Sequence, residues 1–195
     1  MKNLLVIVLL LVSFEAFAQA ATDTALTEGT KLLFGNNKSK LTTAEKNWLY
    51  KQLNFTVTTV EKNKNVFKSG EHIVTAQLYI TDMNKDGIEE VFIIMQSPDL
   101  YGELGQSFML FIKNGNGDFE YQSGLGNGMV MIIVSTDPGY PGIAIAGLGS
   151  EYPLFKWDGK AYKPSGKITY NDLQNDKVKY IDVAESNKLY LDTFK

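Results

Sequence analysis

Residues 79–94 read YITDMNKDGIEEVFII. The flanks, LYI at 78–80 and EVFII at 90–94, are rich in β-branched and aromatic residues, which suits strands. Between them Asp86-Gly87 is turn chemistry, with Gly87 free to take the sharp bend. The stretch therefore predicts two antiparallel strands joined by an acidic loop. Asp82, Asn84 and Asp86 alternate along that loop, and Glu90 follows at the start of the next strand. Hard cations such as calcium take six to eight oxygens at close range. Alternating short oxygen-bearing side chains on a tightly curled loop supply several, the Ile88 carbonyl adds one, and Glu90 closes the ring. An EF-hand needs Glu at the twelfth loop position and helical flanks. Here the twelfth position is Ile93, inside a strand. The expectation is a calcium loop between β-strands.

Outward from this hairpin the two-residue period continues. Ile73–Ile80 alternates, and Ser107–Lys113 (SFMLFIK), Met129–Ser135 (MVMIIVS), Ile143–Gly147 (IAIAG) and Tyr152–Trp157 (YPLFKW) read as further strands. Their connectors include Asn114-Gly115-Asn116-Gly117 and Asp158-Gly159, which suit tight hairpins. Gly124-x-Gly126-x-Gly128 precedes a strand rather than opening a helix, so it reads as a turn and not a phosphate loop. Upstream, Thr42 and Glu45 form a capping-box pattern ahead of Trp48, Leu49 and Leu53 at helical spacing. Trp48 is expected to anchor the core. Ala25–Phe34 predicts a shorter helix, and Asp182–Phe194 a C-terminal one.

A weak internal repeat runs through the strands. Phe111 matches Phe155 and Phe119 matches Tyr162, a period of about 40–45 residues, as in four-stranded blades. Two such units cannot close a ring that takes at least about four. The expected fold class is α+β: mainly an antiparallel β meander of two propeller-blade-like units, an N-terminal helical segment and a C-terminal helix. The expected divisions are a signal peptide at 1–18, a helical segment at 19–54, a β-rich domain at 55–165, and an extension at 166–195 packing on that domain. The leader rests on Lys2, the apolar run Leu4–Val12 and the small residues of Ala16-Phe17-Ala18. That run is too short to span a bilayer.

The segment 79–119 resembles the calcium loop and following hairpin of FG-GAP and VCBS repeats, where Asp-x-Asn-x-Asp-Gly-x-x-Asp joins two blade strands. The resemblance implies side-chain ligands at Asp82, Asn84, Asp86 and Glu90 and a backbone ligand at Ile88. Glu90 departs from it, since the family usually has Asp there. The second half has Asp137-Pro138-Gly139 in place of an acidic loop, so no second site is implied. YPLFKWDGKAY at 152–162 also looks like uncharacterised secreted bacterial proteins with a single such loop, a resemblance that brings no activity.

Composition narrows the functional classes. Of 195 residues, 44% are hydrophobic, 21% charged and 12% aromatic, which suits a folded globular chain. Cysteine is absent, which excludes disulfides, thiol nucleophiles and thiolate metal sites. All 19 basic residues are lysine, and the net charge is −3. Without arginine or positive charge, nucleic acid is not an expected partner. The single histidine, His72, sits in no triad pattern. Glu89 and Glu90 are neighbours on a strand, so they point to opposite faces and cannot work as an acid/base pair.

The reading is a secreted, calcium-binding, non-catalytic β-rich module, periplasmic or extracellular, with structural calcium as cofactor. Its expected partners are a protein or glycan at the cell surface, with no membrane insertion after signal cleavage. The alternatives are a glycan-active enzyme using Asp99, Glu103 or Glu151, and an exported hydrolase inhibitor.

Overall fold

The computed structural model of the chain describes residues 25–136, 138–175 and 177–194. The expected leader and Asp137 lie outside these residues. Helix α1 (Glu28–Phe34) starts where the Thr27 hydroxyl accepts the Thr30 N–H, and it stops at Gly35. It is thus shorter than the expected 25–34. Helix α2 (Thr43–Gln52) has the anticipated capping box, with Thr42 and Glu45 satisfying each other's backbone N–H.

The strands make two antiparallel meanders. The first runs β1 (Thr56–Val60), β2 (Lys64–Ser69), β3 (His72–Thr81), β4 (Glu90–Gln96), β5 (Gln106–Lys113) and β6 (Phe119–Tyr121), each beside its predecessor. The second contains β7 (Met129–Ile133), β8 (Ile143–Ala146), β9 (Glu151–Trp157) and β10 (Tyr162–Thr169), again in chain order. After β10 come α3 (Tyr170–Gln174), β11 (Tyr180–Asp182) and α4 (Val183–Leu191). Strand β11 returns to pair with the outer edge of β7, which the sequence pattern did not anticipate. Asp182 caps α4 by accepting the Glu185 N–H, so the C-terminal helix begins one residue after the expected start.

Strict alternation on the central strands builds three core layers. On β4, Val91, Ile93 and Met95 join Leu33, Phe34, Leu49 and Leu53 of the helical cover. The opposite face, Phe92 with Phe108, Leu110 and Ile112 of β5, meets Val130, Ile132, Ile143, Ile145 and Phe155 of the second sheet. A smaller cluster of Met131, Ala144, Tyr152 and Ile168 lies on the far side of the second sheet. Strand β4 is buried on both faces because it has helices on one side and a sheet on the other. The architecture is therefore mostly antiparallel β with a few short helices. Trp48 departs from the expected deep anchor: it is 40% exposed. It packs from outside against Phe111 and Phe119, with ring centroids 5.8 and 6.4 Å away. Among the described residues no helix is long and apolar enough to cross a membrane.

The contact between α1 and α2 is close at Gly29, where an added Cβ would stand 1.9 Å from Tyr50 Cζ. The Tyr50 ring is held in place by its hydroxyl donating to the Phe55 carbonyl at 2.8 Å. Alanine normally stabilises a helix over glycine by about 1 kcal/mol. Here overpacking dominates, and Gly29→Ala is expected to destabilise the protein by about 1–3 kcal/mol in urea unfolding. Equal or greater stability would contradict this packing.

Candidate metal-binding loop and a buried carboxyl pair

The loop joining β3 to β4 is set by the register Thr81↔Glu90, which leaves eight residues to reverse the chain. Lys85 and Gly87 both take positive φ, at 61° and 86°. The acidic side chains curl the loop by binding its own amides. Asp82 Oδ2 accepts the Gly87 N–H at 2.9 Å, and Asp86 Oδ1 accepts the Ile88 N–H at 2.7 Å. Asn84 Nδ2 donates to Asp86 Oδ2 at 2.7 Å, and Asn84 Oδ1 accepts the Asp86 N–H at 3.3 Å. Lys40 Nζ approaches the Gly87 carbonyl at 3.3 Å. Asp82, Asn84 and Asp86 thus share one loop with Glu90 at the first position of β4 beside it, while the Ile88 side chain is exposed.

Glu90 is fully buried. Its Oε2 accepts the Met83 N–H at 2.7 Å, and its Oε1 accepts the Tyr140 hydroxyl at 3.0 Å. Burial pushes its carboxyl up to about 8, repulsion from Asp82 and Asp86 adds to this, and the two hydrogen bonds pull the other way. Burial and the Glu90 carboxyl in turn push the Tyr140 phenol upward.

Its neighbour Glu89 is also buried, but toward other partners. Its Oε1 accepts the Lys40 N–H and the Tyr190 hydroxyl, both at 2.8 Å, and its Oε2 accepts the Ser39 hydroxyl at 2.9 Å. The two carboxyls serve separate networks.

The donor set can be tested against a hard cation through its unused oxygens. Asp82 Oδ1 and Thr81 Oγ1 are buried without a hydrogen-bond partner. A buried oxygen without a partner is unfavourable in a folded chain, so an unpaired carboxylate oxygen at this loop suits a cation. In this structure the remaining carboxylate oxygens of Asp82, Asp86 and Glu90 are engaged by loop groups, except Glu90 Oε1, which takes the Tyr140 hydroxyl. Among the described residues, no group of three or more His, Asp or Glu side chains stands ready to hold a metal. The residues fit calcium in oxygen chemistry, and the side chains are arranged around their own amides.

Other carboxylates are placed elsewhere. Asp99 Oδ2 lies 3.3 Å from His72 Nδ1 at an open cleft of about 650 Å³, Glu103 is in a short 3-10 turn, and Glu151 pairs with Lys167 on the second sheet. The sequence reading missed Glu89, Tyr140, Tyr190 and Thr81 as parts of this centre. Position alone gives little sign of them, although two adjacent glutamates at the entry to an otherwise apolar strand were a visible anomaly. Comparison with protein-family models, curated proteins and solved structures finds no match.

Folded Glu90 keeps its proton up to about pH 8, whereas the unfolded residue releases it near 4.5. Between those values the folded state binds more protons, so stability falls as pH rises through the window. The loss is at most about 5 kcal/mol, and the slope should be visible in metal-free melting curves from pH 5 to 8.5. Glu90→Gln should flatten that part of the slope. An unchanged slope in the variant would assign the pH dependence to other groups.

Proposed function

We propose that the chain is an exported, non-catalytic binding module whose β3–β4 loop takes up calcium as a structural ion. Asp82, Asn84, Asp86 and Glu90 would supply side-chain oxygens and Ile88 a backbone oxygen. The supporting observation is the partnerless Asp82 Oδ1, buried beside a loop that carries two further carboxyl groups. A divalent ion would give that oxygen a partner and offset the repulsion that Asp82 and Asp86 exert on Glu90. The reading extends to two blade-like units. It is supported by the strand runs β3–β6 and β7–β10, each four consecutive antiparallel strands, which carry the repeated Phe111/Phe155 and Phe119/Tyr162 positions. The protein side of the chemistry is positional: Gly87 admits the bend, and the Asx-type hydrogen bonds hold the loop curled before any ion arrives.

The test is thermal melting in EDTA and in calcium at about 10–100 mM, since extracellular-type sites bind with Kd of about 10⁻⁴–10⁻³ M. At calcium near 100 times Kd the stabilisation approaches about 2.7 kcal/mol, a shift of several degrees. Asp82→Asn should lose most of that shift while folding normally in EDTA. Equal melting temperatures with and without calcium would sink the proposal.

A further inference from the structure

A cleft outside the loop lies where the two sheets bring their hairpin turns together. The β5–β6 turn contributes Lys113, Gly115 and Asn116, and the β9–β10 turn contributes Trp157, Gly159 and Lys160. These are equivalent positions of the internal repeat, counted from Phe111 and Phe155. The two halves of the chain therefore face each other across a cavity of about 310 Å³. That volume lies at the lower end of small-molecule clefts.

The cleft wall is built from defined parts. Asn114 is spent on the turn: its Oδ1 accepts the Asn116 and Asp118 N–H groups at 2.9 and 3.1 Å, and its Nδ2 donates to Glu120 Oε1 at 2.9 Å. This fixes Glu120 and leaves its second oxygen for another donor. Gln122 is 6% exposed and lines the same cavity. Its Oε1 accepts the Tyr162 N–H at 3.3 Å, while its amide nitrogen has no partner among the described residues. Trp157 is held from behind by Tyr140 and Tyr162, at centroid distances of 4.5 and 5.4 Å, and its remaining surface lines the cleft. A rigid indole therefore stands beside an anchored amide donor and an anchored carboxylate acceptor.

The charge balance narrows the ligand. Lys113 forms an ion pair with Glu45, so it is not a free cation for the cleft. Lys160 and Glu120 carry opposite charges on the remaining wall. The surface is nearly neutral and mixes donors with acceptors at short range, which suits vicinal hydroxyl groups. The indole suits the C–H face of a pyranose ring, whose hydrogens meet the negative face of the aromatic system. We infer that this cleft between the paired hairpin turns is a binding site for a neutral mono- or disaccharide unit. The inference rests on the reading of the chain as a binding module and is independent of the calcium loop.

The experiment is calorimetric titration of the full chain with cellobiose, maltose and N,N′-diacetylchitobiose, and with digalacturonate as an anionic control, each in calcium and in EDTA. At least one neutral sugar is expected to saturate with Kd of about 1 mM or tighter. The Asn116→Ala/Lys160→Ala double variant changes only exposed turn positions, and should keep its melting temperature while binding about tenfold or more weakly. Trp157→Phe, which keeps an aromatic ring against Tyr140, should weaken the same sugar less than Trp157→Ala. Absence of saturation for every neutral sugar, unchanged affinity in the double variant, or preference for digalacturonate would each overturn the inference. A chain that melts higher in calcium yet takes no sugar would sink this inference alone. Saturable sugar binding without any calcium shift would sink the loop proposal alone.

Discussion

Two adjacent buried carboxyl groups hold the molecule together at the head of its central strand. Glu89 gathers Ser39, Lys40 and Tyr190, so the segment before α2 and the C-terminal helix both close on one side chain. Glu90, one residue later, reaches the loop amide of Met83 and the hydroxyl of Tyr140 in the β7–β8 connection. Burying two acids is unfavourable unless every oxygen is occupied. Here that need dictates where distant parts of the chain must sit. The apolar layers supply most of the stabilisation, but they are tolerant of shape. The carboxyl pair is not, because a misplaced partner leaves a buried oxygen bare.

The same constraint explains the behaviour of the β3–β4 loop. Its acidic residues satisfy one another's backbone amides, so the bend is specified locally. Glu90 is the point where this local structure joins the core, since it belongs to the loop and to the inter-sheet contact at once. Anything that changes charge in the loop is therefore felt at Tyr140, whose ring packs on Trp157 of β9. The loop and the cleft between the hairpin turns are linked by a short run of side chains: Glu90, Tyr140, Trp157.

Much of the fold was legible because its signals are local. Thr42 and Glu45 announce α2, the alternation of β4 and β5 follows from period two, and Asn-Gly and Asp-Gly mark the turns. The candidate loop was legible for the same reason, since its residues are contiguous. The boundary of α1 depended on whether Thr27 or an earlier residue capped the helix, a choice made by the Thr27–Thr30 hydrogen bonds. Strand β11 is three residues with no alternation of its own, recruited by the open edge of β7. Glu89 was read only as pointing away from Glu90, with no partner assigned to it. Its burial depends on a tyrosine 101 positions away, which no local pattern reports.

The placement of α4 has a consequence for the order in which the chain acquires structure. Asn187 donates to the Ile80 carbonyl across a separation of 107 residues, and Tyr190 closes Glu89 across 101. Contacts this remote form only after the intervening chain has collapsed, because loop closure must precede any gain from them. The central hairpin can thus assemble early while both its glutamates still face water. Docking of α4 removes Glu89 from solvent, and docking of the Tyr140 segment does the same for Glu90. Until α4 docks, this hairpin carries two solvated charges at its head, which keep an otherwise apolar strand pair soluble and discourage it from pairing with another copy.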